Sequence, residues 1–155
     1  MKKILITFIL LLPLLNLFPQ TKNLETGLYA VIPLDSCTGM NNKIAVEFLT
    51  DTLCLNPKPL ITVKDFDSCK IDSSMYSREK ILFLNIKLKD YATEKFKEIT
   101  TKNVGKKIAV IIDNKVVLAP IVRDPITNGR LTVGGDKEAI IKEMYEKLKR
   151  EIGPQ

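Results

Sequence analysis

Residues 107–135, KIAVIIDNKVVLAPIVRDPITNGRLTVGG, constrain the fold of this chain more than any other stretch, because a smooth apolar run gives way to dense punctuation. Two apolar runs flank Asp113-Asn114, a pair that tolerates positive φ, and so predict a β-hairpin with a two-residue turn. Both runs are apolar on both faces, which predicts a strand pair at the centre of a sheet, covered by helices. At Ala119-Pro120 proline has no N–H to offer a neighbour, and the chain is expected to leave the sheet there. Asp124-Pro125 imposes an extended step, Asn128-Gly129 turns the chain back, and RLTV re-enters as a strand. Gly134-Gly135 then swings into a helix. The simplest account of this punctuation is scaffold. The loop at 121–130 is expected to protrude and to offer a contact surface, with Arg123, Asp124, Pro125, Ile126, Asn128, Gly129 and Arg130 as candidate binding residues.

The flanking segments fill in an α+β chain. LYAVIPL and KIAVEFL (43–49) predict strands, and DTLCLNPKPLIT, with Pro57 and Pro59, predicts an edge strand or a connection. Residues 63–80 are polar and turn-rich, with room for a short helix around 64–69. ILFLNIKLK (81–89) predicts a strand with Leu82, Leu84, Ile86 and Leu88 on one face and Phe83 on the other. Asp90 is the expected N-cap of a helix whose buried stripe is Ala92, Phe96, Ile99 and Val104, ended by Gly105. Asp136 is the expected cap of a last helix with Ile141, Met144, Tyr145, Leu148 and Ile152 on its apolar face, ending at Gly153-Pro154. The fold class is therefore α+β: an antiparallel or mixed sheet with two helices packed on one face.

The first residues, MKKILITFILLLPLLNLFPQ, have two lysines and then an apolar run from Ile4 to Phe18. Residues 1–20 are expected to be a signal peptide, with a mature start near Thr21, or an uncleaved anchor; no small-residue cleavage site follows the run. The net charge of +6 falls to +4 without Lys2 and Lys3, and the remaining bases are interleaved with acids, as in KLKDYATEKFKE, so they describe a solvated face and not a nucleic-acid surface. Export gives meaning to Cys37, Cys54 and Cys69, which would sit in an oxidising compartment. One disulfide leaves one thiol over. Spacing leaves the pairing open among the three.

A chain with no histidine cannot run a Ser-His-Asp or Cys-His mechanism, and neither phosphate-binding glycine motif occurs. Asp65, Asp67 and Asp72 lack the spacing of a calcium loop and are expected to lie in a solvated loop. No metal, no cofactor and no catalytic activity are expected.

The run NVGKKIAVIIDNKVVLAPIVRDPITNGRLTVGG resembles the head subdomain of the first periplasmic domain of SecD, the protein-export membrane protein that works with SecF at the translocon. That family's pattern is met here by Phe96, Thr100, Asn103, Gly105 and Lys106, then Asp113, Lys115 and Val116. Ala119, Pro120, Ile126, Gly129, Val133 and Gly134 complete it. The resemblance covers about residues 58–150, with PKPLITVKDF as its lead-in, so three segments are expected: 1–20, the cysteine-containing strands of 21–57, and a head-like domain over 58–153. It implies an exported, non-enzymatic binding module of the periplasm or cell envelope. Such a module would hold an extended polypeptide or dock on an envelope partner, translocon components among them, through a strand edge or the 121–130 loop. The family's transmembrane, proton-coupled part has no counterpart in these residues. The alternatives are a membrane-tethered accessory subunit of the export machinery, touching the membrane only if the N-terminal segment is retained, and a thiol-reactive envelope protein using the unpaired cysteine.

Overall fold

The computed structural model describes residues 23–37, 44–48, 51–76, 79–134 and 137–154. The expected signal segment at 1–20, the start near Thr21, Gly135 and the Asp136 cap lie outside the described residues. The elements in order are β1 (Gly27–Ile32), a 3₁₀ turn (Leu34–Cys37), β2 (Ile44–Phe48), β3 (Asp51–Leu55) and β4 (Ile61–Thr62). A second 3₁₀ turn (Val63–Asp65), β5 (Phe66–Tyr76), β6 (Glu79–Leu88) and α1 (Asp90–Lys102) follow. The chain closes with β7 (Ile108–Ile112), β8 (Lys115–Leu118), β9 (Arg130–Gly134) and α2 (Glu138–Ile152). The protein is α+β, as expected, and its strands pair antiparallel.

The strands form two sheets where one was expected. The larger runs β2-β3-β1-β7-β8 with β4 also on β1, and the smaller runs β5-β6-β9. Gly27 permits the β1–β4 junction, since a Cβ there would lie 2.2 Å from the Ile61 carbonyl oxygen. The two sheets and both helices close over one core. Leu82, Leu84, Ile86 and Leu88 of β6 meet Ala92 and Phe96 of α1, Ile141 and Leu148 of α2, and Ile108, Val110 and Ile112 of β7. Each fully buried aliphatic side chain in such a core contributes on the order of 2 kcal/mol. The other face of β7, Ala109 and Ile111, belongs to a second cluster with Leu24, Tyr29, Leu53 and Leu55. β2 and β8, at the two ends of the larger sheet, approach one another, so that sheet rolls around the second cluster.

Several expectations are corrected by this arrangement. Of the hairpin pair only β7 is central; β8 ends the sheet and is half-buried, with Val117 and Leu118 against the main core and Val116 against the second cluster. Strand 51–55 lies between β2 and β1, and the prolines fall in the connection to β4. The polar stretch 63–80 opens with a 3₁₀ turn followed by an eleven-residue strand. Its inner positions, Phe66, Cys69 and Ile71, are interrupted by a bulge at 66/68, which breaks the period-two pattern. Its outer positions are polar because they bind to one another and across the sheet: Asp72 takes Lys70 Nζ along the strand at 2.9 Å and Asn85 Nδ2 of β6 at 2.7 Å, and Asp67 takes Lys87 Nζ of β6 at 3.0 Å. These contacts, with the N-terminal capping bond of Asp65 Oδ2 from the Thr62 N–H (2.9 Å), engage all three carboxylates that sequence placed in a loop. Asp90 is the first helical residue and Lys89 the N-cap of α1; Thr100 joins Ala92 and Phe96 in the buried stripe, while Val104 is exposed.

Cys37 and Cys54 form the disulfide, tying the first 3₁₀ turn to β3. Cys69 is free and buried, and burial pushes its thiol up, so it is poorly placed for the thiol-reactive alternative.

Candidate binding cleft between two strand edges

The β7–β8 hairpin turns at Asp113 (φ 49°) and Asn114 (φ 61°), the positive-φ pair its sequence implied. Asn114 Oδ1 accepts the Leu24 N–H at 2.8 Å, and the Asp113 N–H donates to Thr26 Oγ1 at 3.1 Å. The Asp113 carboxylate meets Lys147 of α2 at 2.5 Å, and that hydrogen bond and charge hold its carboxyl below the usual range. The turn is thus fastened to the N-terminal segment on one side and to α2 on the other.

The chain does not leave the sheet at Pro120. A register shift at 110/111 is followed by continued pairing: the Ile108 N–H donates to the Pro120 carbonyl (3.1 Å), Ile121 bridges Lys107, and the Val122 N–H donates to the Lys106 carbonyl (2.9 Å). Pro120 gives its carbonyl to this ladder, so its missing N–H leaves one bond unmade there without ending the pairing.

Residues 123–130 then form a strap held at three points, not a freely protruding loop. Val122 is buried in the core. The Ile126 N–H donates to Thr100 Oγ1 at 2.9 Å, and the same hydroxyl can donate to the Phe96 carbonyl at 2.9 Å, so this fully buried threonine is satisfied as donor and acceptor. Gly129 has φ +59°, and a Cβ on it would lie 2.1 Å from Thr93 Oγ1, so only glycine fits between strap and helix. Its carbonyl accepts the Leu88 N–H at 2.8 Å. Of the seven candidate binding residues, Arg123, Asp124, Pro125, Asn128 and Arg130 are exposed, Ile126 is half-buried and Gly129 is buried. Asn128 Oδ1 accepts the Arg130 N–H at 3.1 Å and starts β9.

Between β8 and β9, the edge strands of the two sheets, lies a cavity of about 160 Å³. Phe96 and Thr100 form its floor, Leu118, Pro120 and Val122 one wall, and Ile126 and 130–133 the other. Arg130 is the one charged residue in the lining. Of the candidate binding residues named from sequence, Ile126 and Arg130 line this cavity; the wall from β8 was not among them. The signal was present in the strands on either side of the strap, each apolar on its inner face, but their facing one another depends on the two sheets meeting.

Residues 43–140 match the family model described as SecDF, P1 head subdomain. The protein translocase subunit SecD of Thermobaculum terrenum is 38% identical over 76 residues, which is 49% of this chain and 14% of that protein. The SecD of Acetobacter pasteurianus is 48% identical over 48 residues, 30% of this chain and 9% of its own length. The crystal structure of SecDF in a super-membrane-facing form superposes with a TM-score of 0.52 at 26% identity, over 64% of this chain and 13% of that one. The chain thus spans a small part of the curated relatives it matches. With a match over more than half its length and the same α+β fold, this chain belongs to the SecDF P1 head subdomain family.

Proposed function

We propose that this chain is an exported head-type module that takes part in protein export by holding an extended stretch of polypeptide, or by docking on a translocon component of the cell envelope. The observation that carries the reading is the open cleft in a head-type fold: two strand edges unpaired among the described residues, over an apolar cavity, offer both backbone hydrogen bonds and a side-chain pocket. A lining in which Arg130 is the one charged residue suits recognition of apolar residues and supplies no acid–base pair. The strap residues Arg123, Asp124, Pro125 and Asn128 are exposed and adjoin in sequence the lining residues Val122, Ile126 and Arg130.

The test is photocrosslinking of the full chain in its native envelope, with a benzophenone side chain at Asp124, followed by mass spectrometry. Recovery of translocon subunits or of chains in transit is the expected result. Recovery of a single unrelated envelope protein would overturn the export role and leave a dedicated adaptor.

A further inference from the structure

The phase of the β6–β9 ladder is set by the Leu88 N–H donating to the Gly129 carbonyl, with Lys87 opposite Arg130 and Ile86 opposite Leu131. In an antiparallel ladder alternate residues turn their N–H and C=O to the same partner, so Gly129, Leu131 and Val133 bond toward β6. Arg130, Thr132 and Gly134 therefore turn theirs outward, to the free edge of the smaller sheet. The Arg130 N–H is already taken by the Asn128 side chain. The Thr132 N–H and C=O have no partner among the described residues.

The side chains beside this edge divide by the pleat. Leu131 and Val133 point to the core and line the cavity; Arg130 and Thr132 are exposed on the opposite face. Arg130 forms no ion pair among the described residues and stands opposite Lys87, which is itself paired with Asp67. The cavity, about 160 Å³, is close to the roughly 150 Å³ of an apolar cavity known to admit benzene, so it accommodates one aliphatic or aromatic side chain.

Resting on the polypeptide-holding reading above, we infer that an extended segment of another protein adds as a strand to the Thr132 edge of β9. One apolar side chain of that segment fills the cavity, and an acidic residue next to it in sequence pairs with Arg130. An unpaired strand edge selects an extended backbone over a helix or a lipid chain, since only an extended backbone presents donors and acceptors at strand spacing. The period-two pleat puts consecutive guest side chains on opposite faces, so the residue beside the cavity-filling one lies on the Arg130 side. The recognised pattern is an alternation of apolar and acidic residues. β9, five residues long with one N–H internally taken, is too short an edge to favour pairing with a second copy of this chain.

The probe is a dye-labelled, end-capped peptide, Thr-Val-Glu-Leu-Glu-Val-Thr, titrated into the full chain by fluorescence anisotropy. A version N-methylated at alternate amides and a version with Lys for Glu are run beside it. Binding of the first peptide is expected, with loss on N-methylation. Thr132→Pro, which removes only an outward N–H, should weaken binding about tenfold or more, and Thr132→Ala should leave it nearly unchanged. Arg130→Glu, a surface change that does not depend on proline being tolerated, should weaken it about fivefold and invert the preference toward the Lys peptide. If the peptide binds and neither Thr132→Pro nor Arg130→Glu alters its affinity, the edge is not the site, while the polypeptide-holding reading stands. If no extended peptide of any pattern binds, both fall. Concentration-dependent self-association that Thr132→Pro abolishes would overturn the inference in favour of a second copy as the occupant.

Discussion

At the scale of single residues, the motif positions are explained by what each touches. Gly129 combines a positive φ with a close approach to Thr93. Gly129→Ala is expected to destabilise the fold by about 2 kcal/mol or more in urea titrations, and Thr93→Ala in the same chain should recover only the clash and not the backbone strain. Thr100 looks like a misplaced polar residue until its hydroxyl is seen bridging helix and strap. Thr100→Val should cost about 1–2 kcal/mol and speed hydrogen exchange at the Ile126 amide more than elsewhere. Asp65 is partly buried; burial raises its carboxyl, but the Thr62 N–H and the nearby Lys95 outweigh that, and the net shift is downward. A folded-state value below the unfolded one adds stability above the ordinary carboxylate range, and that stability is lost as pH falls through the lowered value. Thermal melts between about pH 2 and pH 5 should therefore be less pH-dependent in Asp65→Asn than in the parent chain.

Among the elements, the β7–β8 hairpin and the last helix are the parts most legible in sequence. A positive-φ pair between apolar runs admits little besides a two-residue turn, and a 3.6-residue apolar stripe ending at glycine admits little besides a helix. β5 was illegible for a physical reason: its outer face is solvated and a bulge shifts its inner face by one residue, so no clean period survives. The cysteine pairing was also hidden, because loop lengths alone did not distinguish the partners. With Cys37 and Cys54 joined over a sequence separation of 17, reduction is expected to cost about 3 kcal/mol, seen as a lower melting temperature with reductant present. In the native oxidised protein Cys69 should resist a thiol-reactive dye, and one equivalent should react on unfolding.

On the scale of the whole molecule, the main core is shared by both sheets and both helices, and the larger sheet also closes on the second cluster. Phe96 sits at their meeting point and also floors the cleft. Phe96→Ala should cost about 3–5 kcal/mol and lower the stability of both sheets together. Coincident transitions by far-UV circular dichroism and by exchange at β1 and β6 amides would check this; separate transitions would show two independent units.

Sequence by itself determined the local matters: the hairpin turn, the inner face of β6, the amphipathic stripe of α2, and the motif run that carries the family resemblance. These rest on near-neighbour chemistry, turn residues and side-chain period, which a linear chain carries in full. Only the tertiary structure decided that there are two sheets, that β8 and β9 are edges, that the 121–130 segment is strapped over α1, and that a cavity lies between them. Edges and clefts are defined by which strands fail to find a partner. That outcome is set by the packing of segments far apart in the chain and has no local signature.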